Sequence, residues 1–106
     1  MLKLFISQTM NGKTDKEILQ EREQIISWIK THYGSVEVID SFVKENAPKD
    51  VNESLWYLSK SIEFLSTADV AYFTQGWQDA RGCKIEHECA EAYGIQIIEE
   101  GESTNV

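Results

Sequence analysis

Short apolar runs and longer amphipathic stretches alternate along this chain, divided by glycines and polar clusters. Leu2-Lys3-Leu4-Phe5-Ile6 reads as a buried strand, and Asn11-Gly12 in the segment after it is a turn signal. From Thr14 the period changes to that of a helix. Ile18, Ile25 and Ile29 share a stripe flanked by Leu19 and Ile26, while Glu21, Arg22 and Glu23 face outward. Thr14 and Glu17 have the spacing of a capping box, and Gly34 after His32-Tyr33 is the stop. Val36 to Asp40 predicts a second, β-branched strand. A loop from Asp40 through Phe42 and the one proline, Pro48, then leads to Asp50. Asp50 to Glu53 offers another cap, followed by Leu55, Leu58, Ile62 and Leu65 at helical spacing. Val70 to Phe73 predicts the third strand, Gly82 to Tyr93 the last helix with Gly94 as its breaker, and Ile95 to Ile98 the fourth strand.

The predicted order is β-α-β-α-β-α-β, with every strand-to-strand connection long enough to hold a helix. That predicts an α/β fold: a parallel sheet with right-handed crossovers and helices on both faces. A strand order of 2-1-3-4 places the switch point between the first and third strands, where ligands of open α/β sheets collect. Two polar, glycine-bearing loops meet there, Ser7–Lys13 and Thr74–Arg81. One domain over residues 1–100 is expected, with residues 101–106 as a fraying polar tail.

Charge and cysteine usage narrow the function classes. A formal net charge of −8 argues against a nucleic-acid polymer as partner. A small anion remains compatible, since the helix start at Thr14 offers backbone N–H groups. No apolar run approaches a membrane span, and the N-terminus lacks a signal-peptide pattern. Cys83 and Cys89 fall on different faces of one predicted helix, too far apart along it for a disulfide, and free thiols predict a cytoplasmic setting.

Several residues carry candidate chemistry. Glu86 shares a helix face with Ala90 and Tyr93, bordering the apolar set Ile85, Cys89 and Ala92 that is expected to pack on the sheet. A carboxylate there can act as nucleophile or general base toward a sugar carbon. The same residue also reads as a first-turn acid that complements the helix dipole. In the crevice loop, Arg81 can grip a phosphate or pair with Asp79, and Trp77 is the aromatic best placed to stack on a base. Cys83 and His87 stand at i and i+4, but the further ligands a zinc site requires are missing, so no metal and no other cofactor is expected. Gly12-Lys13 lacks the spacing of an ATP-binding phosphate loop.

The segments FISQTMNGKTDKEI and SLWYLSKSIEFLSTADVAYFTQGWQDARGCKIEHECAEAYGI together resemble a group of small phage and bacterial proteins of unassigned function related to the nucleoside 2-deoxyribosyltransferases. The link to the transferases rests on a strand, a crevice loop and a glutamate followed four residues later by alanine, here Glu86 and Ala90. The resemblance implies a Rossmann-like, flavodoxin-like three-layer sandwich with a nucleoside or nucleotide in the crevice. It implies Glu86 as the nucleophile on the anomeric carbon, and Ser7, Thr9, Gly76, Trp77, Asp79 and Arg81 as substrate-binding positions. It further implies a homo-oligomer in which a neighbouring subunit completes each site, for which Trp56 and Tyr57 are interface residues. Two departures stand out: Phe5 where the characterised enzymes carry tyrosine, and Ser61 where they carry aspartate. They favour a second function class, a nucleotide-binding module without turnover.

Overall fold

The computed structural model of this 106-residue chain describes residues 1–41, 43 and 45–101. Phe42 and Lys44 of the predicted loop, and residues 102–106 of the predicted tail, lie outside the described residues. Apolar runs become strands β1 (Leu2–Ser7), β2 (Val36–Val38), β3 (Val70–Phe73) and β4 (Gln96–Glu99). Amphipathic stretches become helices α1 (Asp15–Tyr33), α2 (Glu53–Leu65) and α3 (Arg81–Ala92), and a 3-10 turn (Trp77–Asp79) precedes α3.

All three strand pairings are parallel, in the order β2-β1-β3-β4, as the pattern predicts. Right-handed crossovers then fix the layers. The β1-to-β2 connection runs one way along the sheet and the other two run the opposite way, so α1 covers one face alone while α2 and α3 share the other. Strand alternation feeds both faces. Val70 and Tyr72 join Leu4, Ile6, Ile25 and Ile29 beneath α1, whereas Ala71 and Phe73 join Phe5, Leu65 and Ala90 on the opposite face.

Element ends show where local pattern and tertiary context part. Thr14 forms the predicted capping box, its hydroxyl accepting from the Glu17 N–H at 3.2 Å while the Glu17 carboxylate accepts from the Thr14 N–H at 2.9 Å. The cap of α2 is Asn52, which accepts from the Leu55 N–H at 3.0 Å, so the helix starts after Asn52 and not at the acid Asp50. β2 ends at Val38, although the Ile39 N–H still donates to the Leu4 carbonyl at 2.9 Å. Asp69 ties β3 to β1 by accepting from the Lys3 N–H at 2.8 Å. Among the described residues, no helix is long and apolar enough to cross a membrane.

Candidate functional site

Adjacent parallel strands β1 and β3 end side by side, Ser7 opposite Phe73, and both crevice loops leave from there. The Thr74 N–H donates to the Ser7 carbonyl at 3.1 Å, and the fully buried Thr74 hydroxyl accepts from the Thr9 N–H at 2.9 Å. These bonds lock the loops together at the switch point. The Ser7 hydroxyl then donates to Glu86 Oε1 at 2.7 Å, joining the end of β1 to α3 across 79 positions of sequence.

Glu86 is 7% exposed. Burial pushes its carboxyl above the usual range, and hydrogen bonds from Ser7 and Ser61 oppose that rise by favouring the ionised form. Ser61 comes from α2, so three elements converge on this one group. Cys83 stands one turn earlier on α3, and burial pushes its thiol up as well, against a hydrogen bond with Ser7.

Two expectations about α3 are corrected. The helix begins at Arg81 with no acid in its first turn, which puts Glu86 in the second turn and removes its reading as a dipole-complementing acid. Its buried stripe is Cys83, Glu86, His87 and Ala90, whereas Ile85 is exposed at 36% and Ala92 is exposed. Glu86 lies within the packed face instead of bordering it. The cause is polar pairing across the chain: Ser7 satisfies Glu86, and Glu99 of β4 meets His87 at 2.5 Å. Those bonds offset part of the usual cost of turning polar side chains inward.

His87 also organises the crevice loop. The Trp77 indole stacks on it at 3.7 Å between ring centroids and 6° between planes, and Phe73 meets it edge-on at 4.8 Å. One face of Trp77 is therefore occupied by the chain's own imidazole, which narrows the part predicted for it as a stacking surface. Gly76 holds φ +90°, a left-handed conformation that lets the loop turn into the 3-10 turn. Asp79 and Arg81 stand exposed on the rim, and among the described residues they form no ion pair with each other.

The first loop is closed from within. The Lys13 ammonium bonds Thr9 Oγ1 at 3.2 Å and reaches Glu21 at 3.0 Å, and Gln8 donates to the same carboxylate at 3.1 Å. With Thr14 and Glu17 capping each other, two N–H groups at the start of α1 are served by its own side chains, and the Asp15 and Glu17 carboxylates in its first turn disfavour an anion there. The start of α3 differs: Ala80 supplies no side-chain cap.

Ser7 and Glu86 are thus in contact, Thr9 joins them through Thr74, Gly76 and Trp77 shape the loop beside them, and Asp79 and Arg81 edge it. Sequence reading missed Thr74, the His87–Glu99 pair and the part played by Ser61. For Ser61 a signal existed: it occupies i+3 in the apolar stripe Leu58, Ile62 and Leu65, where a hydroxyl needs a partner. Among the described residues, no three His, Cys, Asp or Glu side chains are grouped as metal ligands would be.

The chain belongs to a family described as a domain of unknown function (DUF4406), whose model matches residues 2–99. No curated protein matches it.

Proposed function

We propose that this member of the family cleaves or transfers the N-glycosidic bond of a (deoxy)nucleoside or its 5′-monophosphate, with Glu86 as nucleophile. The observation that carries the reading is the buried Glu86 carboxyl at the switch point of the sheet, oriented by Ser7 at 2.7 Å and by Ser61. The resemblance to the nucleoside 2-deoxyribosyltransferases supplies the reaction class. In the first step the ionised carboxylate forms a bond to the anomeric carbon, and the base departs with the electron pair of the glycosidic bond and takes up a proton. Water or a second base then attacks the same carbon and gives up to solvent a proton that balances the one the first base took, and the carboxylate leaves restored. The Ser7 hydroxyl holds one carboxylate oxygen and steers the other toward the sugar. At the start of α3, uncapped backbone N–H groups and the exposed Arg81 suit a 5′-phosphate. Incubation with deoxynucleosides and their monophosphates, with and without acceptor bases, tests the reading. Base release is expected from the wild type and not from Glu86→Ala, and no release from any of them overturns it.

The same reading places a second copy against α2, where Leu55 is 62% exposed beside Trp56 and Tyr57. Light scattering that finds only monomer at working concentration counts against it.

One observation favours a second reading, a nucleotide-binding module without turnover. Burial drives Glu86 toward its neutral form, which donates a hydrogen bond but does not attack carbon. Phe5, 2% exposed in the core, brings no hydroxyl to the site. Thermal stabilisation by a nucleotide that is recovered intact supports this reading; stabilisation by none of them counts against both.

A further inference from the structure

The topology leaves half of one sheet face without a helix. α2 and α3 both pack on the side of Phe5 and Phe73, while α1 lies alone on the side of Leu4 and Tyr72. Beside α1, over β3 and β4, runs a groove of about 430 Å3. It contains none of the predicted substrate-binding residues, and it borders the Glu86 site only through Glu99, the partner of His87.

α1 contributes Glu21, Gln24, Ile25 and Trp28 to this groove. Their spacing of i, i+3, i+4 and i+7 is the stripe a helix presents to a neighbouring helix. It shares Ile25 with the stripe through Ile25 and Ile29 that packs down onto the sheet, and Glu21, Gln24 and Trp28 lie to one side of that stripe. Trp28 remains 38% exposed, its edge against Tyr72 at 6.3 Å between centroids and one face on His32 at 4.2 Å. Tyr72 and Ile98 line the sheet side. A large, part-exposed aromatic in a groove with an apolar floor is the residue type that dominates helix-in-groove binding.

Charge identifies the flanks of the occupant. Glu21 and Glu100 give the groove an acidic rim and no lysine or arginine lines it, while Glu99 borders it from β4 with its carboxylate turned to His87 on the other face of the sheet. Glu21 holds Lys13 and Glu99 meets His87, while Glu100 accepts from the Tyr72 hydroxyl at 3.0 Å and the Gln75 N–H at 2.8 Å. A second copy of a chain of net charge −8 brings like charge to this rim.

We propose that this groove is the docking site for a basic amphipathic helix of a partner protein, which lies alongside α1 and completes the helical layer over β3 and β4. Its apolar stripe seats against Trp28, Tyr72 and Ile98, and its lysines or arginines meet the acidic rim. The contacting stretch of α1 spans roughly 10 Å, which two to three turns of helix match.

The probe is a dye-labelled peptide of about four turns, built of leucine and lysine with the leucines on one stripe, beside a scrambled peptide of equal composition. Saturable binding is expected, with amide shifts confined to residues 21–28, 72 and 96–101. Trp28→Ala weakens it about tenfold or more, as loss of a central aromatic anchor does. The substitution Gln24→Lys, at an exposed position of the groove, weakens it severalfold without touching the core. Equal affinity for the scrambled peptide, shifts elsewhere on the surface, or indifference to both substitutions overturns the proposal. So does self-association that Trp28→Ala abolishes, since the occupant is then a second copy.

Discussion

Two helices leave the carboxyl edge of the sheet beside the switch point, α1 after β1 and α3 after β3, and their first turns are built in opposite ways. α1 opens on Thr14 with a reciprocal cap and carries Asp15 and Glu17 in its first turn. Its free N–H groups and the positive end of its dipole are served by the helix's own residues. α3 opens on Ala80, with no side-chain cap and no first-turn acid, and its first residue is Arg81. Its acid, Glu86, comes a turn later and is buried against Ser7. A capped first turn stabilises the fold at α1; at α3 the same stabilisation is forgone next to the candidate site. Stability given up locally beside converging polar groups is a mark of function.

Substitutions break or sharpen this contrast, and the largest effect is expected at Glu86. If α3 serves glycosidic chemistry, Glu86→Ala lowers base release by about a thousandfold or more in a nucleobase-release assay. Next, Ala80→Asp gives α3 the cap that α1 already has. Melting temperature should rise by the equivalent of roughly 0.5 to 1 kcal/mol, while monophosphate affinity measured by calorimetry falls about tenfold. A gain in stability with unchanged affinity breaks the idea that the open end is kept for a ligand. The mirror change, Thr14→Ala, should cost about 1 kcal/mol in chemical denaturation and leave nucleotide binding untouched.

The smallest effect is a pair of opposite pH dependences. Hydrogen bonds with Thr14 lower the Glu17 carboxyl, so its contribution to stability is present above the ordinary carboxylate range and lost as pH falls. Burial raises the Glu86 carboxyl, so folded protein holds that proton more tightly than unfolded chain does. Its contribution is full below the ordinary carboxylate range and is lost as pH rises through the raised folded value. Melting curves from about pH 3 to about pH 8 should therefore lose the acid-side slope in Glu17→Gln and the opposite slope in Glu86→Gln.

The fold was legible because its signals are local. Period changes at Thr14 and Val70, the box at Thr14 to Glu17 and the stop at Gly34 need no knowledge of distant residues. The parallel sense of the sheet followed from connection length, and the crossover hand then set which face each helix covers. The rotation of α3 was not legible, since apolar bookkeeping favours Ile85, Cys89 and Ala92 on the inner face. What turns Glu86 and His87 inward are partners at Ser7 and Glu99, on β1 and β4, which no window along the chain brings together. Trp77 shows the same limit: its loop position was legible, but its stacking on His87 depends on how α3 is rotated.

The central placement of β1 sets a timetable for a chain made from its N-terminus. β1 is made before the other three strands of this sheet, yet its second neighbour, β3, ends only at Phe73. Until then one edge of Leu2–Ser7 has no sheet partner, and an apolar strand in that condition is open to mispairing with other chains. The bond between Ser7 and Glu86 closes later still, so the site is among the last features a nascent molecule acquires.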